Sequence, residues 1–281
     1  MPWRNLRPES GVLAGARANP LLLRVVTGLV LIAAALGAVW QGGLVFTALV
    51  AAATLIMFAE WAVMMRLSRG IRLAGLGLIA AVIMLMSLVS TGEALVALAG
   101  GAGLLGLFAR KLHKPMGFWT AAGVLYAGLP AIALIWTRGL SLGLVATIYL
   151  LVIVWSTDIA AFFAGRAIGG PKLAPSISPN KTWAGAFGGL MGAMMVGGGM
   201  AAGYLPDSSG GWLGVFASLA GALGVLSILG DLLESWLKRR ANVKDSGNIL
   251  PGHGGVMDRL DGLVPVAVAG ALVFAWTGWA G

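Results

Sequence analysis

The 281-residue chain has no cysteine and only two histidines. The absence of cysteine excludes a disulfide framework and a cysteine-ligated zinc site. Charged residues make up only 10% of the chain, well below the roughly 25% that is typical of soluble domains. Hydrophobic residues make up 59%, so much of the protein surface must be apolar. We therefore predict that lipid, and not water, surrounds most of the chain.

Acidic residues are also scarce, with ten Asp and Glu against 19 Lys and Arg, which gives a formal net charge of +9. In a soluble protein this excess of positive charge would suggest a nucleic-acid partner. In an apolar chain it is better explained by basic loops that orient membrane helices and contact anionic lipids. We expect membrane lipids as partners and no nucleic acid.

Long apolar runs dominate the sequence, and a helix needs about 20 apolar residues to cross a bilayer. Nine candidate spans are found, at 21–40, 43–64, 73–91, 93–109, 117–136, 142–165, 183–205, 212–237 and 263–280. The first run is longer than the 7–15 apolar residues of a signal peptide, so we interpret it as a retained span. The fourth is short and interrupted by glycines. The predicted fold is an all-α polytopic membrane bundle of about nine transmembrane helices, with residues 1–281 in a single integral membrane domain.

The positions of the cations predict the orientation of this bundle. If the N-terminus is cytoplasmic, Arg138 is the only one of the 19 Lys and Arg residues on the opposite side. Such a distribution obeys the positive-inside rule. Two longer connections, 166–182 and 238–262, then lie on the cytoplasmic side, and long polar loops often carry function. We expect the functional site there.

Most of the acidic residues also lie in or beside these two connections: Asp158, Asp231, Glu234, Asp245, Asp258 and Asp261. Asp158 and Asp231 fall within apolar spans, where a charged side chain usually faces a cavity or a partner. Asp231 and Glu234 are three residues apart and share a helix face. Glu60, in the second span, could pair with Arg66, extend to the membrane interface or face the bundle.

Asp258 and Asp261 repeat the three-residue spacing, so they project together if this stretch is helical. Carboxylates at one depth repel one another unless a cation lies between them, and hard oxygen ligands favour Mg²⁺. The alternative is a purely structural network of ion pairs. Four cations could neutralise the acids in that way: Lys238, Arg239, Lys244 and Arg259.

The segment 172–183 precedes the seventh predicted span and offers hydroxyl groups and an ammonium group, from Ser176, Ser178, Lys181 and Thr182. A helix N-terminus with such groups is suited to binding phosphate. The simpler interpretation, which is compatible with the first, makes Ser178 the N-cap and Pro179 the first helical residue. The pattern is not that of a P-loop.

The segment 235–261 combines Lys and Arg, which bind phosphate well, with glycines that let the backbone approach a ligand. His253 lies among these glycines. It could contact a substrate or serve as a structural hydrogen-bonding residue.

Three segments of the sequence resemble a known family, the phosphatidate cytidylyltransferases, also called CDP-diglyceride synthetases. The segment 235–261 matches their signature, which contains Ser-x-apolar-Lys-Arg, Lys-Asp and Pro-x-His-Gly-Gly-apolar-x-Asp-Arg-apolar-Asp. The Ser-Pro-x-Lys-Thr-Trp run from Ser178 and the Asp-x-x-Ala-aromatic-x-x-Gly-Arg run from Asp158 to Arg166 are also similar. The resemblance covers about 150–262, which we take as the catalytic half. Phe162 stands where many members have tyrosine.

The resemblance implies transfer of a cytidylyl group from CTP to phosphatidic acid, which yields CDP-diacylglycerol and pyrophosphate for phospholipid biosynthesis. It implies Mg²⁺ as cofactor, with K⁺ as a second cation, and a place in the bacterial cell inner (cytoplasmic) membrane with a cytoplasmic active site. The residues expected to be catalytic are Asp231, Asp258, Asp261 and Lys181. The expected metal ligands are Asp231, Asp258, Asp261 and Asp158. The expected substrate contacts are Ser178, Thr182, Lys238, Arg239, Lys244, His253 and Arg259.

Other classes of protein remain as alternatives. A transporter also carries charged residues in its spans, but transporters often have related halves, whereas these acids lie mostly in one half. A CTP-dependent lipid kinase is a second alternative, and it would release CDP and not pyrophosphate. A CDP-alcohol phosphatidyltransferase also uses clustered aspartates, but the Asp-Gly-x-x-Ala-Arg run of that class is missing from this chain.

Gly185 and Gly189 have the small-xxx-small spacing of close helix packing, which favours contact within the chain and also permits a homodimer.

Overall fold

The computed structural model describes residues 20–204, 210–250 and 254–278. Ten helices and two short strands occur in this part of the chain, in the order α1 (Pro20–Gln41), α2 (Gly43–Met64), α3 (Arg69–Leu85), α4 (Thr91–Leu112), α5 (Lys114–Gly139), α6 (Gly143–Ile168), β1 (Lys172–Ala174), β2 (Ser178–Thr182), α7 (Trp183–Tyr204), α8 (Gly210–Arg240), α9 (Met257–Leu260) and α10 (Leu263–Thr277).

Each of the nine predicted apolar runs corresponds to one long helix, which confirms the mostly helical fold. Six of these helices, α2 and α4 to α8, are long and apolar enough to cross a membrane. The weak fourth run is among them as α4. α3 and α10 have 17 and 15 residues, fewer than the roughly 20 that a perpendicular crossing needs. The chain is therefore a helical membrane protein, and its nine crossings and cytoplasmic N-terminus stay predictions.

Small residues let α7 pack closely against α6. A Cβ atom at Gly185 would lie 3.0 Å from the Ala161 carbonyl oxygen, and one at Gly189 would lie 3.0 Å from the Thr157 carbonyl oxygen. Side chains at these two positions would push the helices apart. The small-xxx-small spacing therefore serves packing within the chain, as the sequence favoured.

In each half of the chain, a buried aromatic residue connects two helices by a hydrogen bond. Trp61 of α2 donates from Nε1 to the Trp119 carbonyl oxygen of α5 at 2.8 Å. In the second half, the Tyr149 hydroxyl of α6 donates to the Phe216 carbonyl oxygen of α8 at 2.8 Å. Their polar atoms are thus satisfied inside an apolar core.

Arg138, the exception in the predicted charge distribution, has a structural role. Its Nε donates to the Val39 carbonyl oxygen at 2.6 Å, and its Nη2 donates to the Trp40 carbonyl oxygen at 3.1 Å. These carbonyls belong to the last turn of α1, where they lack helical partners. A cation there also complements the helix dipole. Arg138 therefore joins the ends of α5 and α1.

Candidate active site

The segment before α7 forms a β-hairpin and not the start of the helix. β1 and β2 pair antiparallel, with Lys172 opposite Thr182 and Ala174 opposite Ser178. The prediction that Ser178 caps the helix is therefore wrong, because Ser178 begins β2. Thr182 takes this role, since its Oγ1 accepts a hydrogen bond from the Gly185 N–H at 3.1 Å. The hairpin brings Lys181 to the beginning of α7.

Lys181 connects this hairpin to α8. Its ammonium group forms an ion pair with the Asp231 carboxylate. Asp231 also accepts a hydrogen bond from Ser235 Oγ at 3.3 Å, one turn further along α8. Two of the predicted site residues, which are 50 positions apart in the sequence, are thereby in direct contact.

A cavity of about 620 Å³ opens beside this ion pair, between α6, the hairpin, α7 and α8. Its polar lining residues are Asp158, Arg166, Asn180, Lys181, Thr182 and Asp231. The cavity has the size of a small-molecule site, for which about 300–1,000 Å³ is usual. Both carboxylates and cations line it, as binding a phosphate–metal complex would require.

Three carboxylates converge next to this cavity. One oxygen from each of Asp231, Glu234 and Asp261 lies within 4.8 Å of the other two. Asp231 and Glu234 are one turn apart on α8, and Asp261 follows α9 and accepts a hydrogen bond from the Gly262 N–H at 2.8 Å. Burial, together with the charge of Asp231, raises the pKa of Asp261.

Glu234 offers an oxygen for a cation. Its side chain is 1% exposed, and among the described residues its Oε1 has no hydrogen-bond partner. A buried acceptor without a partner is costly, and a bound cation would satisfy it. Oxygen ligands of this kind suit Mg²⁺. The three carboxylates could therefore hold a divalent cation.

Asp258 is held by a lysine and by backbone N–H groups. Its Oδ1 accepts from Lys238 Nζ at 2.7 Å, and its Oδ2 accepts from the Ser246 and Gly255 N–H groups at 3.1 and 2.9 Å. Burial alone would raise the pKa of Asp258, but contacts with Glu234, Lys238 and the Gly255 N–H outweigh it and lower the pKa to about 2. Asp258 is not one of the three converging acids, and its metal role stays a prediction.

The remaining predicted residues occupy varied positions. Lys238 lies between Glu234 and Asp258, at 2.7 Å from each, so the ion-pair interpretation holds for this residue. Arg239 donates from Nε to the Ile177 carbonyl oxygen at 3.4 Å. Lys244 and Arg259 are exposed, and Ser178 is half-buried in β2. His253 lies outside the described residues. Their substrate contacts stay predictions, as does metal binding by Asp158.

Three residues of this region were absent from the predicted site. Glu234 belongs to the carboxylate group, and its spacing from Asp231 was the signal for it. Arg166 and Asn180 line the cavity. Both lie within the runs that resemble the family, Arg166 as the last residue of its run and Asn180 as a variable position. The position of Arg166, a charged residue at the end of a predicted span, was the feature of the sequence that could have indicated a place in the site.

The fold and the site define a helical membrane protein with a cavity that both carboxylates and cations line. Comparison with known proteins gives the family: the profile of the Cytidylyltransferase family matches residues 22–276. The chain belongs to this family.

Curated relatives carry a more specific name. A "Phosphatidate cytidylyltransferase" of Brucella suis biovar 1 is 44% identical over 250 residues, which are 88% of this chain and 90% of the relative. The protein of that name from Brucella melitensis biotype 1 has the same identity and coverage. One from Haemophilus influenzae is 43% identical over 126 residues, which are 43% of this chain and 42% of the relative.

Proposed function

We propose that the chain is a phosphatidate cytidylyltransferase, which transfers the cytidylyl group of CTP to phosphatidic acid and releases pyrophosphate. CDP-diacylglycerol, a precursor of phospholipids, is the product. The similarity to the Brucella proteins over most of both chains supports this activity. The observation that carries it is the contact between Lys181 and Asp231 on the wall of a cavity beside two further carboxylates.

The reaction joins two polyanions, so charge is its main obstacle. An oxygen of the phosphatidate phosphate attacks the α-phosphorus of CTP in line, the new P–O bond forms, and the bond to pyrophosphate breaks. A phosphate monoester has a second pKa near 6, so the attacking oxygen is largely ionised at neutral pH. No strong general base is required, in keeping with the two histidines of the chain.

The side chains that line the cavity would reduce the repulsion between the two polyanions in different ways. Lys181 and Arg166 would bind phosphate oxygens of CTP and offset the charge that develops on the leaving group. Asn180 and Thr182, which also line the cavity, would orient the nucleotide by hydrogen bonds. Because Lys181 also contacts Asp231, its ammonium group is held in place before the substrate arrives.

Mg²⁺ is the proposed cofactor, held by Asp231, Glu234 and Asp261, with Asp258 and Asp158 as further candidate ligands. Four carboxylates, those of Asp231, Glu234, Asp258 and Asp261, face two ammonium groups, those of Lys181 and Lys238. Carboxylates therefore outnumber ammonium groups in this set, which favours the binding of a cation. When bound, Mg²⁺ would neutralise phosphate charge. K⁺ remains a proposal for a second cation.

The location follows from the same chemistry, since the site must reach lipid and a soluble nucleotide together. We place the protein in the bacterial inner membrane with nine spans, a cytoplasmic N-terminus and a cytoplasmic active site. The relatives named above are bacterial. A homodimer is compatible with this arrangement and is not required by it.

The test uses purified protein in detergent with phosphatidate, CTP labelled in its α-phosphate, and Mg²⁺. We expect label in a lipid product and one pyrophosphate released for each lipid labelled. Release of CDP without label in the lipid would identify a lipid kinase instead. No turnover of CTP under any Mg²⁺ concentration would overturn the proposal.

A further inference from the structure

Glu60 of α2 is a buried carboxylate far from the catalytic half in sequence, and the proposed mechanism does not use it. It is 5% exposed and faces the bundle, the third of the three alternatives. No ion pair joins it to Arg66 among the residues with described positions. The Val256 N–H donates to Oε1 at 2.9 Å, and the Met257 N–H and Ser246 Oγ donate to Oε2 at 2.8 and 3.0 Å. Val256 and Met257 lie immediately before Asp258, and Ser246 lies 12 positions before it.

The loop that connects α8 to α9 approaches the Glu60 carboxylate closely at two glycines. A Cβ atom at Gly247 would lie 2.6 Å from Glu60 Oε1, and one at Gly255 would lie 2.6 Å from Oε2. Met257, which follows, is completely buried. There is no room for a side chain at either glycine, so the loop is fitted around the Glu60 carboxylate.

Ser246 connects Glu60 to the active site. Its Oγ donates to Glu60 Oε2 at 3.0 Å, and its N–H donates to Asp258 Oδ2 at 3.1 Å. One residue therefore contacts both carboxylates. Between the two ends of the loop, the Leu250 N–H donates to the Gly254 carbonyl oxygen at 2.9 Å. The position of the backbone that leads into Asp258 and Asp261 thus depends on Glu60.

We propose that Glu60 is a positioning residue for the cytidylyltransferase site: its carboxylate holds the backbone at Ser246, Val256 and Met257, and so places Asp258 against Lys238 and Asp261 beside Asp231 and Glu234. This inference rests on the proposed function. An ionised carboxylate suits the place because all three neighbours are donors, and hydrogen bonds to a charged acceptor are the stronger kind. Glu60 itself does not touch substrate.

The substitution Glu60→Gln tests the proposal, because an amide turns a donor group toward N–H groups that need an acceptor. We expect kcat per folded protein to fall by about 10²-fold, the cost of misplacing a catalytic group by about 1 Å. The Mg²⁺ concentration for half-maximal rate should rise by about tenfold, as for loss of a group that orients metal ligands. The KM for phosphatidate should change less than about twofold, as only the positioning is disturbed.

A second readout does not depend on activity. Hydrogen exchange at the Val256 and Met257 amides should be faster in Glu60→Gln than in the unaltered protein, because their acceptor has been impaired. The matched control is Thr54→Val, which removes a buried hydroxyl from the same helix. Within the described part of the chain, Thr54 donates only to the Val50 carbonyl oxygen, at 2.7 Å, so Thr54→Val should affect neither the exchange nor the Mg²⁺ demand.

The outcomes separate the two proposals. If the unaltered protein is active and Glu60→Gln matches Thr54→Val in kcat, Mg²⁺ demand and exchange, Glu60 is not a positioning residue and the proposed function stands. If the unaltered protein does not turn over CTP, the proposed function fails first. Should Glu60→Gln not fold, Ser246→Ala takes its place, since it removes one of the three donors. We expect a smaller rise in Mg²⁺ demand for it, and an unchanged demand would overturn the inference.

Discussion

Lys238 Nζ lies 2.7 Å from Asp258 Oδ1, a contact that joins α8 to a residue 20 positions further along the chain. The same ammonium group lies 2.7 Å from Glu234 Oε2. Both acids are nearly inaccessible, with side-chain exposures of 1% for Glu234 and 8% for Asp258. Lys238 therefore pairs with acids on two elements, and its loss would remove the ammonium group that both buried carboxylates share.

The substitution Lys238→Met should lower the free energy of unfolding by about 3–5 kcal/mol, as when one partner of a buried ion pair is removed. Unfolding by denaturant in detergent measures this. The control Lys114→Met, at an exposed lysine that begins α5, should change it by no more than about 0.5 kcal/mol. Equal losses in the two variants would show that the Lys238 ion pairs contribute no net stability.

The long helices could be predicted from the sequence because each is a run of apolar residues near the length of a bilayer crossing. The hairpin could not, because its strands have three and five residues, and Pro175 and Pro179 made the segment resemble a loop. The contact of Glu60 with Met257 spans 197 positions, and no local pattern reveals it.

The carboxylate cluster was predicted in part. The three-residue spacing correctly placed Asp231 beside Glu234, since both lie on one long helix. The same spacing suggested that Asp258 and Asp261 act together, yet α9 has only four residues. Around so short a helix, loop contacts decide where each side chain goes, and Asp258 is held by Lys238 and backbone N–H groups.

Asp261→Asn should separate metal binding from folding. Without Mg²⁺, its Tm should equal or exceed that of the unaltered protein, because one of three crowded negative charges is removed. Mg²⁺ should raise the Tm of the unaltered protein, by the equivalent of about 2.7 kcal/mol at a hundredfold excess over Kd. It should raise the Tm of the variant much less.

The control for this comparison is Asp245→Asn, at an exposed acid in the loop after α8. It should retain the full shift with Mg²⁺. A full shift in Asp261→Asn as well would remove Asp261 from the set of metal ligands.

Asp258→Asn should behave differently, since its carboxylate also supports the loop. We expect a loss of activity together with a lower Tm in the absence of Mg²⁺, because Lys238 and two N–H groups lose a charged acceptor. Parallel thermal unfolding and cytidylyl transfer assays measure both effects. Near-normal turnover with the Mg²⁺ dependence of the unaltered protein would reject a catalytic role for Asp258.

Lys181→Met should impair the use of CTP, because the ammonium group lies on the cavity wall beside Asp231. We expect kcat/KM for CTP to fall by about 10²–10³-fold, which is typical for the loss of one group that stabilises charge in the transition state. Steady-state kinetics with varied CTP measure this. Lys172→Met, an exposed lysine at the start of β1 in the same hairpin, is the control. Identical kinetics in the two variants would mean that Lys181 only anchors the hairpin.

Thr182→Ala should destabilise the protein by about 1 kcal/mol, because Thr182 Oγ1 accepts from the Gly185 N–H and so caps α7. Thr182→Ser keeps the hydroxyl and should recover most of this loss. Ser178→Ala, which lies at the other end of β2, should change the free energy of unfolding by less than about 0.5 kcal/mol. The opposite ranking, with Ser178→Ala the more damaging change, would return the cap to Ser178 and place the beginning of α7 four residues earlier, against the pairing of β1 with β2.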